Sequence, residues 1–237
     1  MSDVVRESVA AYGATPRQMT VREYYRAAEK GVFDSDERIE LLRGIVVEKY
    51  GEGLRAMSVQ EYYRAADEGI FDSDERLELI WGQVVKLSPQ KSPHAWATSN
   101  MAEILRAVFP ECVIREHSPI SLDKANEPEP DVLVASGPSS TYIRRHPGPA
   151  DVLLVVEVAD SSLRKDRALK ALLYAEFGIP EYWILDLNSN RLEVYREPVK
   201  DANGKAAYSV VETLDAQASI VPLKSTSGIP VRSLLPS

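Results

Sequence analysis

The spacing of apolar positions changes several times along the chain, and each change marks an element. Between His94 and Phe109 apolar residues recur at 97, 101, 104, 105 and 108, the spacing of a helix with one buried face. The run CVIREHSPISL at 112–122 alternates loosely and predicts a strand. PDVLVA at 130–135 and DVLLVVEV at 151–158 are compact apolar runs, and the second is apolar at successive positions, as in a strand covered on both sides. Helical spacing returns from Arg164 to Phe177, with Leu169, Leu172, Leu173 and Phe177 on one face and Gly178 to close it. YWILD at 182–186 and RLEVYRE at 191–197 predict two strands joined by a turn at Asn188–Asn190. Asn203-Gly204 signals a further hairpin before a tail punctuated by proline.

The N-terminal part of the chain repeats itself. MTVREYYRAAEKGVFDSDERIELLRGIVVE at 19–48 returns as MSVQEYYRAADEGIFDSDERLELIWGQVVK at 57–86, an offset of 38 with 20 of 30 aligned positions identical. Thr20 and Ser58 stand three residues before Glu23 and Glu61, a capping box opening a helix in each copy. Met19 and Met57 are placed to staple to Tyr24 and Tyr62, and Gly31 and Gly69 to cap the helix ends. RLELIWGQVVKL then alternates around a glycine and predicts a hairpin, although its Trp81-Gly82 turn departs from the usual Asn-Gly. Two copies are too few for a solenoid, which needs at least ~3. Copy two runs directly into LSPQKSPH, whereas copy one runs into the glycine-rich KYGEGLRA. The expected organisation is a tail at 1–18, copy one and a linker at 19–56, and a main domain at 57–237 that includes copy two. Copy one would add strands to a sheet edge or exchange with a partner chain.

With 237 residues, 44% hydrophobic and 27% charged, the chain can build one sizeable α/β domain or two small ones. Helix, hairpin, helix, strands, helix, strands is the order of an α/β domain with a mixed sheet. Runs such as VLLVV are too short to span a bilayer, and MSDVVRESVA lacks the pattern of a secretory signal. Cys112 is the only cysteine, so there is no intramolecular disulfide and no Cys-rich zinc site. These features together favour the cytoplasm and no membrane attachment. A net charge of −8 argues against extended tracking of a nucleic-acid backbone but leaves room for a local basic cleft. Arg144, Arg145 and His146, or Arg164, Lys165, Arg167 and Lys170, would supply one; solvated surface charge is the alternative.

Two acidic residues change the functional picture. Asp131 follows Pro130 at the head of one apolar run, and Glu157 interrupts the next near its end. A carboxylate within a buried strand is costly unless something pairs with it. A divalent cation is one such partner, and two carboxylates with a lysine suit metal-assisted phosphodiester hydrolysis. Each residue also has a plainer reading. Asp131 fits a turn, Lys170 fits an exposed helix lysine opposite Asp166, and His94 fits a structural group at a helix start. A two-carboxylate glycosidase would need neither lysine nor metal. The chain has no G-x-S-x-G elbow, phosphate-binding glycine loop or HExxH helix, which argues against acyl hydrolase, kinase and zincin chemistry.

From about Met57 to about Glu197 the chain resembles the Uma family of putative restriction endonucleases, within the PD-(D/E)XK nuclease superfamily. The resemblance lies in an ordered set: LELIWGQVVKLSP, His94, EPEPDV at 127–132, VEVADSS at 156–162, Asp166, Lys170, Tyr174 and GIPEYWILD at 178–186. It implies a restriction-endonuclease-like core, a mixed central sheet flanked by helices, here preceded by the duplicated helix-hairpin module. It further implies a Mg²⁺-dependent DNA endonuclease, with Mn²⁺ as substitute, acting as a homodimer on two strands. Asp131 and Glu157 would be the metal ligands, joined by the carbonyl of Val158. The superfamily lysine two residues after the second acid is replaced by Ala159, and Lys170 would substitute for it from the following helix. Glu78 would offer a third carboxylate and His94 a contact to phosphate. The alternative is a catalytically impaired relative that serves as an interaction or nucleic-acid-binding module, which Ala159 and the acidic charge favour.

Overall fold

The computed structural model describes residues 8–42, 44–48 and 54–236. They form two compact units, one comprising Met1–Ser88 with Leu122–Pro128, the other Pro89–Ser121 with Glu129–Ser237. Among the described residues no helix is long and apolar enough to cross a membrane.

The first unit contains strand β1 (Thr15–Pro16), helix α1 (Val21–Glu29), hairpin β2 (Ile39–Leu42) and β3 (Ile45–Glu48), helix α2 (Val59–Asp67), and hairpin β4 (Leu77–Ile80) and β5 (Gln83–Lys86). Both helices start on the expected capping boxes: Thr20 and Ser58 accept from the amides of Glu23 and Glu61, whose side chains return to the cap amides. Gly31 and Gly69 take left-handed φ values of 66° and 63° just beyond the helix ends. Met19, Phe33, Met57, Phe71 and Leu79 share one apolar cluster with Tyr24 and Tyr62 packed against it. The Trp81-Gly82 turn has both residues at positive φ, 51° and 68°, the type I′ geometry that matches strand twist. Trp81 tolerates it because Asn126 Oδ1 accepts its amide at 2.7 Å and its ring meets Tyr12 edge-on at 5.4 Å.

Two expectations about organisation meet a different arrangement here. Residues 8–18, read as a tail, form a short 3₁₀ turn at Val9–Tyr12 and β1, which pairs antiparallel with β5. The division between units also falls elsewhere than at residue 57. Copy two groups with copy one, and Leu122–Pro128 joins them: Glu127 exchanges backbone hydrogen bonds with Leu79, and Lys124 O accepts from Val59 N at 2.7 Å. The linker positions 49–53 lie outside the described residues.

The second unit is an α/β fold around a six-stranded mixed sheet. Its strands are β6 (Val113–Glu116), β7 (Val132–Ala135), β8 (Val152–Ala159), β9 (Glu181–Asp186), β10 (Arg191–Lys200) and β11 (Ala206–Leu214), in the order β11-β10-β9-β8-β7-β6. Every neighbouring pair is antiparallel except β8 with β9. Helix α3 (Ser92–Val108) lays Ala97, Met101, Ala102 and Leu105 on Val132, Val134, Leu154, Val156 and Val158. Residues of opposite parity on the same strands, Leu133, Val155 and Glu157, therefore face the other side. β8 and β9 are joined through a helical segment, as parallel neighbours require. It comprises α4 (Leu163–Lys165), a π-helical turn (Asp166–Lys170) and α5 (Ala171–Glu176). The sequence predicted one uninterrupted helix here. The π turn buries Asp166, Leu169 and Lys170 together.

Candidate active site

The register of β7 and β8 sets the site. Val132 pairs with Val156, so one residue further Asp131 falls opposite Glu157 and on the same side of the sheet. Pro130 has no amide to continue the ladder. At this point the Asp131 side chain takes over, and Oδ2 accepts the Val158 N–H at 2.8 Å. From α3, His94 Nε2 approaches Asp131 Oδ2 at 3.2 Å; from the end of β6, His117 Nδ1 stands 3.5 Å from Oδ1. Gln90 Nε2 lies 3.2 Å from the His117 ring nitrogens.

Glu157 is gripped from the opposite direction. Lys170 Nζ is 3.1 Å from Glu157 Oε1, and the Tyr174 hydroxyl donates to the same oxygen at 3.0 Å. Lys170 is fully buried, with its ammonium 5.8 Å from the centre of the Tyr174 ring, rather than exposed as its helical spacing allowed. The π turn ends at Lys170, and π turns often occur at functional positions in helices. Asp166, at its start, is also buried and accepts from Ser162 Oγ at 2.5 Å.

These groups do not balance one another. Burial opposes ionisation of Asp131, yet the hydrogen bond and charge of His94, the Val158 amide and His117 outweigh it, so Asp131 ionises below the usual range. Burial disfavours the charged form of His94 as well, but Asp131, Glu157 and the Val158 backbone raise its pKa. Glu157 is pushed up to about 8, first by burial and then by repulsion from Asp131 and Asp166, which the nearby Lys170 does not offset. Burial likewise lifts Asp166 to about 6, with Asp131 adding repulsion. Burial, with Asp131 and Asp166 nearby, therefore outweighs the Lys170 ammonium at Glu157.

A divalent cation would add positive charge beside these carboxylates. The available donors are hard oxygens, two carboxylates on adjacent strands and the Val158 carbonyl, which suit Mg²⁺ or Mn²⁺ better than Zn²⁺. Among the described residues no group of three or more His, Cys, Asp or Glu side chains is arranged to hold a metal by itself. Most coordination positions would then belong to water and substrate, as is usual for Mg²⁺.

The second unit thus brings together Asp131, Glu157, Val158, Lys170 and His94. Ala159, where the resemblance implied a lysine, is buried and lies beside Asp186 in the parallel register, and Lys170 is the amine that reaches Glu157. Glu78 belongs to the first unit. It is fully buried in β4 opposite Val85, although the hairpin alternation also allowed it to face outward. Tyr174, His117 and Asp166 were not among the site residues expected from sequence. Tyr174 and Asp166 carried a usable signal, each four residues from Lys170 and each in the ordered set that carries the resemblance, whereas His117 carried none.

The fold is similar to that of a putative nuclease belonging to DUF820 from Anabaena variabilis ATCC 29413, with a TM-score of 0.56 and 14% identity, covering 75% of this chain and 96% of that one. That likeness is one of fold, a mixed α/β arrangement. Residues 59–230 match the Uma2 family, "Putative restriction endonuclease", and the chain belongs to that family. No curated protein matches it.

Proposed function

We propose that the chain is a divalent-cation-dependent endonuclease of the PD-(D/E)XK type that hydrolyses DNA phosphodiester bonds. The observation that carries this reading is the placement of Asp131 opposite Glu157 at a strand pair's end, with the Lys170 amine 3.1 Å from Glu157. Asp131, Glu157 and the Val158 carbonyl would hold Mg²⁺ or Mn²⁺. A bound cation neutralises charge on the phosphate and acidifies water. The chain's own groups do the rest. Tyr174 and Lys170 fix Glu157, and the Val158 amide and His94 fix Asp131, so neither carboxylate must reorganise as charge develops. Lys170 is an ammonium placed to steady a negative oxygen beside Glu157. A single such site per chain cuts one strand, and cleavage of a duplex would take two chains.

Ala159 supports a second reading, a family member that binds but does not cut. One experiment separates the two. Mn²⁺ binding is measured by calorimetry, and nicking of supercoiled plasmid is measured with and without EDTA, for the wild type and Asp131→Ala. Nuclease function requires metal binding and EDTA-sensitive nicking that Asp131→Ala abolishes while its circular dichroism stays native. Metal binding without nicking selects the second reading. Absence of metal binding in the wild type removes the site assignment.

A further inference from the structure

The contacts within the first unit are reciprocal at the 38-residue offset of the repeat. Arg17 N donates to Val84 O at 2.7 Å, and Arg55 N donates to Val46 O at 3.1 Å. Pro16 pairs with Val85 in β5, and Leu54 bridges to Val47 in β3. Each of these contacts places the arm preceding one helix on the hairpin of the other copy. The side chains follow the same rule. Arg17 reaches Glu75 at 2.7 Å and lies 5.0 Å over Phe71; Arg55 reaches Glu37 at 2.8 Å and lies 5.2 Å over Phe33. Arg26 donates to the Gly69 carbonyl at 3.0 Å, and Arg64 donates to that of Gly31. Lys30 and Glu68 are the same position in the two copies and meet each other at 2.9 Å, as residues on a two-fold axis must. A cavity of about 60 Å³ is lined in matched pairs by Arg17 and Arg55, Met19 and Met57, and Phe33 and Phe71.

In this pattern residue i touches j while the equivalent of j touches the equivalent of i, which defines an isologous interface between identical partners. We propose that the helix-hairpin module is a self-association element whose second partner has been built into the same chain, copy one occupying the self-complementary face of copy two. The repeats have diverged where that matters. On the axis, Lys30 opposite Glu68 is attractive within a chain, whereas like copies from two chains would set Lys against Lys or Glu against Glu. The family match begins at residue 59, so copy one lies outside it. Any pairing of chains for duplex cleavage would then use another surface. The inference is independent of the nuclease reading.

Charge reversal confined to copy one of the full chain tests it. In Arg17→Glu/Glu37→Arg the two arginine ion pairs between the copies, Arg17 with Glu75 and Arg55 with Glu37, become repulsive within the chain, while at these positions like copies from two chains remain complementary. Light scattering should show the mass of this variant rising to twice the wild-type value or more. Adding Arg55→Glu/Glu75→Arg restores attraction within the chain and should return the mass to that of wild type. An unchanged mass for the double variant with a native circular dichroism spectrum overturns the proposal, as does failure of the quadruple variant to revert. A second measurement does not depend on the charge-reversed variants folding. Full-length Lys30→Cys/Glu68→Cys with Cys112→Ser is treated with a short bismaleimide at low protein concentration. Cross-linking within one chain is expected, and cross-links only between chains, or none, overturn the proposal.

Discussion

Glu157 offers the sharpest test of the buried charge arrangement, because replacing it with glutamine keeps its shape and its ability to accept from Tyr174 while removing its ionisation. Its pKa of about 8 in the folded protein lies well above the ordinary 4.5 it regains on unfolding. Between those values the native state keeps a proton that the unfolded chain has released. Its contribution to stability is therefore full below about pH 4.5, declines as pH rises, and is lost once pH passes about 8. At roughly 1.4 kcal/mol per pKa unit the whole window is worth on the order of 5 kcal/mol, of which about 4 falls between pH 5 and pH 9. Urea denaturation of metal-free wild type and Glu157→Gln near pH 5 and near pH 9 measures it directly. The variant should gain on wild type by about 4 kcal/mol between the two conditions. Parallel stability curves, or a gain by wild type, would refute the claim that burial outweighs Lys170 at this carboxyl. Saturating Mg²⁺ at the alkaline pH extends the test. At a hundred times Kd it should stabilise wild type by about 2.7 kcal/mol and leave the variant unchanged.

Other substitutions probe the same arrangement from different sides. Lys170→Met should lower plasmid nicking at least about 100-fold with a native circular dichroism spectrum; more than a tenth of wild-type activity would remove the amine from the chemistry. Tyr174→Phe deletes the hydroxyl that donates to Glu157 at 3.0 Å and should cost about 1–2 kcal/mol in urea denaturation, so an unchanged midpoint would show that bond to be idle. Gly82→Ala places a methyl 2.5 Å from Ala56 Cβ at a residue held at φ +68°, and should cost about 2 kcal/mol or more by calorimetry. A neutral result there would mean the turn has rearranged.

The features legible in the sequence were those whose cause is local. The capping boxes at Thr20 and Ser58 are written within four residues, and both form. Asp131 and Glu157 stood out because a charge in an apolar run has few explanations, and the strand register then sets them opposite one another. The features that escaped depend on distant partners. Residues 8–18 have no periodicity of their own and are ordered by β5 of the second copy. Lys170 sits on a helix whose leucine spacing is equally compatible with exposure. Its burial requires the oxygen of Glu157 and the ring of Tyr174 to be waiting there. The π turn that carries it is invisible to a 3.6-residue pattern, because the surrounding apolar spacing reads as an ordinary helix. His117 gains meaning only from Asp131 beside it.

The crossed arms bear on how the first unit comes apart. With residues 15–17 on the later hairpin and residues 54–55 on the earlier one, neither half holds its edge strand without the other. Melting either half strips backbone pairing from its neighbour, so the two should open as one cooperative block. Their amide protons should then exchange with solvent at a common free energy, despite the 38 residues of chain that separate equivalent positions.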